Sequence, residues 1–335
     1  MSYQGVKILV TGADGFIGSH LTEALVNRAA KVTALCFYNS FDKHGWIDDL
    51  PEATRAKMTI RRGDIRDSAF VRRIARGQDM IFHLAALIAI PYSYVAAQSY
   101  VETNVLGTLN LLEAARESGV SRIVHTSTSE VYGTALTLPI TETHPLQGQS
   151  PYSASKIGAD MMAEAFARSF DLPVAILRPF NTYGPRQSER AVIPTVIRQA
   201  LDPSCATISI GDTSTVRDFT FVDDTVAAFL AVGLAPEVEF GGAYNAGSGK
   251  AVSVAEMIDL AITLTSCDKP LEHEADRMRP GNSEVRALLA DSTRLTSAVG
   301  WEPGVDLCDG LTRTIAWWRD RFSGGLVRRE PGFIS

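Results

Sequence analysis

Lys7-Ile8-Leu9-Val10-Thr11-Gly12-Ala13-Asp14-Gly15-Phe16-Ile17-Gly18 is a short apolar run, then a glycine-rich turn, then the opening of His20-Leu21-Thr22-Glu23-Ala24-Leu25. The run reads as a strand buried on both faces and the segment after it as a helix. Gly12 permits a tight turn, Gly15 lets a pyrophosphate approach the backbone, and Gly18 brings helix and strand close together. The helix N-terminus adds amide donors and positive potential. Three glycines alone carry little information. Set between a strand and a helix they mark a dinucleotide site, lined also by Phe16 and Ile17.

Working outward, short apolar runs alternate with helical patterns through the first half, which is the signature of a parallel sheet covered on both faces. Strands are expected at 7–10, 31–36, 58–62, 80–84, 122–126 and 174–177, and helices near 16–28, 67–76, 98–118 and 151–170. Ser150 and Pro151 form an N-cap and a proline at the first helical position. After Pro179 the pattern is less regular, with turn-rich pieces at Asn181 to Pro185, Gly241 to Lys250 and Arg279 to Ser283. The expected fold is α/β: a Rossmann-type doubly wound parallel sheet over residues 1–180, with a smaller, partly interleaved substrate domain at 181–322. Some segments of the latter return to the first domain, and a loosely ordered tail occupies 323–335.

The chain of 335 residues is 45% apolar and 21% charged, which excludes a disordered or fibrous protein. Its 32 Lys and Arg against 38 Asp and Glu give a formal charge of −6, a poor footprint for nucleic acid. Cys36, Cys205, Cys267 and Cys308 lie far apart with no metal-ligand spacing, so neither a disulfide framework nor a metal site is expected. No signal peptide is visible, and the most apolar stretch, Met80 to Ile90, is too short for a bilayer. These features point to a cytoplasmic protein with no membrane partner.

In this arrangement an acidic residue near the end of the second strand usually binds the adenosine ribose. Here that strand ends Leu35-Cys36-Phe37-Tyr38-Asn39-Ser40, without a carboxylate and without an arginine for a 2′-phosphate. The missing arginine favours NAD, while Asn39, Ser40 and Lys43, available to help a phosphate, keep NADP open. Asp64 either meets the adenine amine or caps the helix that follows.

Further on stand Thr126-Ser127-Thr128-Ser129-Glu130-Val131-Tyr132-Gly133 and Tyr152-Ser153-Ala154-Ser155-Lys156. Tyr152 and Lys156 share one helical face, where an ammonium is expected to lower the phenol pKa and make it a usable base. His83 and His125 lie in apolar strands and read as core histidines. Asp223 and Asp224 read as preceding a helix over Val226 to Leu230, and Tyr132 as packing.

With these motifs in place the chain resembles the extended short-chain dehydrogenase/reductase family, the nucleotide-sugar epimerases and dehydratases. The resemblance runs from Lys7 to Trp318 and includes Phe82-His83-Leu84-Ala85-Ala86, Asn104-Val105-Leu106-Gly107-Thr108, Arg178-Pro179-Phe180-Asn181, Arg217-Asp218-Phe219 and Arg279-Pro280-Gly281. It implies that Tyr152 is the redox base, that Lys156 holds the nicotinamide ribose and that Thr128 bonds the sugar O4. Ile65, Leu84, Ala85, Ala86 and Asn104 would line the cofactor, although a buried structural role suits Asn104 equally. Asn181, Arg217 and Arg279 would hold a UDP- or GDP-linked sugar, with Arg186 also on the substrate side. The family commonly forms homodimers through two helix pairs, which here would use Leu111, Met161, Met162 and Phe166.

Glu130 discriminates among reactions, because a carboxylate beside the threonine adds a base able to reach C5. Thr128-Ser129-Glu130 resembles sugar-nucleotide 4,6-dehydratases and also uronate decarboxylases, whereas simple 4-epimerases usually carry a small residue in place of the glutamate. Many glucose-type dehydratases place Asp before the Glu. Ser129 is a far weaker acid, so protonated Glu130, or a water held by Ser129, would assist the departing hydroxyl. Leu87-Ile88-Ala89-Ile90-Pro91-Tyr92-Ser93-Tyr94 carries no cation for a uronate. With residues 144–151 and 187–194, this loop most resembles bacterial N-acetylglucosamine-nucleotide 4,6-dehydratases of legionaminic acid type pathways. A uronate decarboxylase, a 4-epimerase and a non-catalytic dinucleotide sensor remain the competing readings.

Overall fold

The computed structural model describes residues 2–274 and 280–327. Its strands are β1 (Lys7–Thr11), β2 (Lys31–Phe37), β3 (Thr59–Gly63), β4 (Met80–His83), β5 (Arg122–Thr126), β6 (Val174–Pro179), β7 (Asn181–Tyr183), β8 (Ile208–Ile210), β9 (Val216–Phe221), β10 (Ala243–Ala246), β11 (Ala251–Ser253) and β12 (Leu271–His273). The helices are α1 (Phe16–Asn27), α2 (Glu52–Arg55), α3 (Ser68–Ala75), α4 (Ile90–Val95), α5 (Ala97–Tyr100), α6 (Gly107–Ser118), α7 (Pro151–Phe170), α8 (Val192–Leu201), α9 (Val222–Leu234), α10 (Val254–Thr265), α11 (Thr293–Val299) and α12 (Leu307–Ser323).

Seven parallel strands form the main sheet in the order β10-β6-β5-β4-β1-β2-β3. The order reverses between β1 and β4, and the crevice beyond their C-terminal ends is where such sheets bind ligands. One face packs Leu21, Leu25, Val26 and Phe229 from α1 and α9. The other packs Val71, Leu111, Leu112, Ala163 and Phe166 from α3, α6 and α7. β11, β9 and β7 form a second sheet, and β12 pairs with β8.

The six expected strands and the helix at 151–170 are present, and Ser150 caps α7 by accepting from the Ser153 amide. Four expectations need correction. The turn-rich piece at Gly241 to Lys250 contains β10, the seventh strand; Asn245 interrupts its apolar run and is accommodated because Tyr132 and the Ile140 carbonyl satisfy it. The helix expected at 98–118 is α5 and α6 joined through a π-helical turn, Val101–Leu106. Asp67, not Asp64, caps α3, while Asp64 clasps Arg66. α9 starts at Val222, so Asp223 and Asp224 lie inside its first turn, and Asp224 accepts from the amides of Gly304 and Val305.

Leu111 and Phe166 are core residues and Met162 packs on them, which leaves Met161 of that set exposed, along with Val101, Leu106 and Phe170. All four cysteines are free, and no helix among the described residues is long and apolar enough to cross a membrane.

Asp218, fully buried on β9, ties the second sheet together by accepting from the amides of Ser248, Gly249 and Ala290 and from the Ser248 hydroxyl. Every one of those partners is a donor. Asp218→Asn therefore turns an NH2 group toward N–H groups and is expected to cost roughly 2–4 kcal/mol, read as a lower urea midpoint with an unchanged slope.

Candidate active site

The glycine turn is packed too closely for side chains. A Cβ on Gly12 would lie 2.7 Å from the Ala85 nitrogen, and one on Gly18 would lie 2.0 Å from the Gly12 carbonyl. Gly12 also has φ +69°, in the left-handed region. Thr11 fixes the loop after β4 through its hydroxyl, which accepts from the amides of Leu84 and Ala85. The first turn of α1 has neither a side-chain cap nor an acidic residue, so its amides face the crevice at the switch point. The residues present fit a dinucleotide diphosphate.

Asn104 is buried in the π-helical turn. Its side chain binds both the amide and the carbonyl of Leu87 and donates to Ser155, so it clamps the loop after β4 onto α7. Ile65 is buried beneath Gly107, and Asp64 is held by Arg66. Ala86 stays half-buried beside the same crevice.

Tyr152 and Lys156 project from the first turns of α7 beneath the ends of β4 and β5. Lys156 is buried, and its ammonium donates to the Thr126 carbonyl at 2.5 Å. Tyr152 sits against Leu87, Ile90 and Tyr100, with its hydroxyl bonded to Thr128. Thr128 caps a 3-10 turn, Ser129–Tyr132, by accepting from the Glu130 amide. Thr128 and Glu130 stay partly open, while Ser129 between them is buried.

The electrostatics differ from expectation at one point. Burial pushes the Tyr152 phenol above its ordinary value, the nearby Glu130 adds to the rise, and the bond with Thr128 opposes it. Lys156 is itself pushed down to about 8 by burial, with Asp160 pulling the other way. The protein alone therefore does not lower the phenol: burial outweighs the bond with Thr128, and the carboxylates of Glu130 and Asp160 push the same way as burial.

Sequence reasoning missed Asp160, one turn beyond Lys156 and fully buried. It accepts from Ser127 at 2.7 Å and from two nitrogens of Arg178 at 3.0 and 3.2 Å, and His125 lies 3.3 Å away. Burial would raise this carboxyl, but His125, Arg178 and Lys156 outweigh it and hold it below the usual range. Arg178 also donates to Tyr132, which donates to Asn245, so Tyr132 is a hydrogen-bonded anchor as well as a packing residue. His83 is a core histidine held between the hydroxyls of Thr11 and Thr108. The signal for Asp160 was an acid four residues after the lysine, on the same helical face.

The substrate-side residues are dispersed. Asn181 has a buried side-chain oxygen without a partner. Arg217 is buried and paired with Glu284 at 3.0 Å. Arg186 is held by Glu23 of α1 at 2.8 Å, and its neighbour Pro185 accepts from His20, so this loop leans on the cofactor helix. Arg279 lies outside the described residues. Tyr94 bonds Ser283, which donates to the Gln149 carbonyl, so α4 is joined to the C-terminal segment across the mouth of the site.

A family model for GDP-mannose 4,6-dehydratase matches residues 9–314. The chain belongs to that family. A dTDP-glucose 4,6-dehydratase of Streptomyces griseus is 38% identical over 317 residues, covering 93% of each chain. A UDP-glucose 4-epimerase of Mycolicibacterium smegmatis is 33% identical over 94% of this chain and 99% of its own. Among solved structures, a dTDP-glucose 4,6-dehydratase from Streptomyces venezuelae with NAD and TYD bound superposes with a TM-score of 0.84 at 32% identity, over 95% of this chain and 98% of that one. The GDP-mannose 4,6-dehydratase family lies within the extended short-chain dehydrogenase/reductases, as the motifs implied.

Lys156 and Asp160 together generate a pH prediction. The role expected of Lys156 requires its ammonium form, and Asp160 raises its pKa, so Asp160→Asn lets the lysine lose its proton at lower pH. The alkaline limb of kcat/KM is expected to move downward from about 8, with activity above it falling roughly tenfold further than in the parent. A profile of unchanged shape would remove Asp160 from this role.

Proposed function

We propose that the protein is an NAD-dependent nucleotide-sugar 4,6-dehydratase. Glu130 carries this reading: it stands two residues after Thr128 on a turn pinned at both ends, beside the Tyr152 hydroxyl. The cofactor site is assigned to Gly12, Gly15, Phe16, Ile17, Gly18, Asp64, Ile65, Leu84, Ala85, Ala86 and Asn104, together with Tyr152 and Lys156. NAD, when bound, supplies the acceptor and later the donor of a hydride, and a positive ring charge that opposes the rise of the phenol pKa.

Tyr152 takes the O4 proton as C4 is oxidised to the ketone, with Thr128 holding the oxygen. The ketone acidifies the C5 hydrogen, which Glu130 removes. Protonated Glu130, or a water held near Ser129, then assists departure of the C6 hydroxyl. Return of the hydride to C6, and delivery to C5 of a proton that Glu130 regains through solvent as Tyr152 gives up the one it took from O4, would give a 4-keto-6-deoxy sugar, with water the only net loss. Lys156 fixes the cofactor ribose, and Asn181, Arg186, Arg217 and Arg279 are assigned to the substrate.

The hexose is neutral in this reading. The loop over 87–94 carries no cation, and its Ile88, Tyr92 and Tyr94 are exposed toward solvent. We favour a UDP- or GDP-linked N-acetylhexosamine, supported by the loop over 87–94 together with residues 144–151 and 187–194. The second reading, a 4-epimerase, draws on the UDP-glucose 4-epimerase relative. The division at residue 180 and a homodimer through the exposed Val101, Leu106, Met161 and Phe170 belong to the same proposal.

Purified protein incubated separately with UDP- and GDP-N-acetylglucosamine, dTDP-glucose and UDP-glucuronate is expected to release water from a neutral sugar. Mass spectrometry distinguishes that loss from carbon dioxide release or an isobaric epimer, and either of the latter would reject the dehydratase. Glu130→Gln is expected to lower water loss by roughly 100-fold or more while reduced nicotinamide still accumulates. Tyr152→Phe should abolish both signals.

A further inference from the structure

β2 ends without the acid that normally receives the adenosine ribose, yet a carboxylate stands at that place. Asp14, inside the glycine turn, accepts from the Phe37 amide at 2.9 Å through Oδ2, and the Ala13 amide donates to Leu35 at 3.1 Å. The turn is thus fastened to the end of β2, and the Asp14 carboxyl lies between the diphosphate-binding amides and the strand terminus, where a dinucleotide of this fold places its ribose. A carboxylate offers about four lone-pair sites, so the Phe37 amide leaves capacity for a diol.

Three of the groups that would favour a 2′-phosphate, Asn39, Arg62 and His44, are already engaged. Asn39 uses its side chain inside the loop, accepting from the amides of Phe41 and Lys43 and donating to the Lys43 carbonyl. Arg62, which the β2–β3 register places beside Cys36, is ion-paired with Asp42. His44, the other cationic candidate near Asp14, is bonded to Asp48.

We propose that Asp14 replaces the missing strand-end acid, binding the ribose 2′-hydroxyl of NAD and repelling the 2′-phosphate of NADP. This rests on the reading of the crevice as an NAD site. The carboxylate reaches the ribose from the turn instead of the strand, so the selectivity of the protein is set by a residue between Gly12 and Gly15.

The test is fluorescence titration of the nucleotide-stripped full chain with NADH and with NADPH, comparing the parent with Asp14→Asn and Asp14→Ala. Asn keeps an acceptor for the Phe37 amide and removes only the charge, so it remains informative where Ala disturbs the loop. The parent is expected to prefer NADH by about tenfold or more, and Asn to shrink that preference by about tenfold. Equal weakening of both nucleotides would show a loop brace and overturn the proposal, as would a parent that binds both alike. A parent that binds neither would overturn the NAD reading itself.

Discussion

One buried negative charge organises the catalytic half of the molecule. The Asp160 carboxylate has no solvent exposure, and a lone ion there would be untenable. It survives because β5 and β6 bring Ser127, His125 and Arg178 to it while Lys156 lies one helical turn away. The arrangement fixes the rotation of α7 against the sheet, since any other rotation would leave Asp160 and Arg178 as unpaired ions. Tyr152, on the same helix, is positioned as a consequence. Arg178 passes the constraint on to Tyr132 and, through it, to Asn245 on β10.

The same economy explains how an acidic chain handles diphosphates. The arginines proposed for the substrate do not wait as bare cations: Arg217 is paired with Glu284 and Arg186 with Glu23. In the proposed role of Arg217 a nucleotide diphosphate competes with Glu284 for it, and binding exchanges one charge-assisted contact for another. At the cofactor end no cation is needed. The first-turn amides of α1 and its dipole provide the potential, and the absence of Cβ atoms at Gly12 and Gly18 lets the backbone come close enough to use it.

The first six strands, α1 and α7 were legible because each combines a local period with its own punctuation: glycines at the turn, and Ser150 with Pro151 at a helix start. β10 was not, since a four-residue strand containing Asn245 looks like a turn until its partners on other segments are known. Asp14 and Asp160 escaped for a related reason. Each is an ordinary acid in sequence, and each acquires meaning only from what the sheet brings against it, the Phe37 amide for one and Arg178 for the other. The Tyr152 phenol shows another case, in which spacing set it on one helical face with Lys156 but could not foresee the burial that raises its pKa.

That burial bears on the choice between epimerisation and dehydration. A phenol pushed upward holds its proton, so in the proposed reaction Tyr152 acts as a base only where an opposing positive charge is bound beside it. Glu130 is not buried in this way: it lies on a partly open turn whose start is capped by Thr128 and whose end is anchored by Tyr132. In the proposed reaction Glu130 thus stays open toward C5, whereas Tyr152, the base assigned to O4, depends on the ligands it serves. This order suits elimination, because a carboxylate able to act on C5 has nothing to remove until Tyr152 has helped create the ketone that makes that hydrogen acidic.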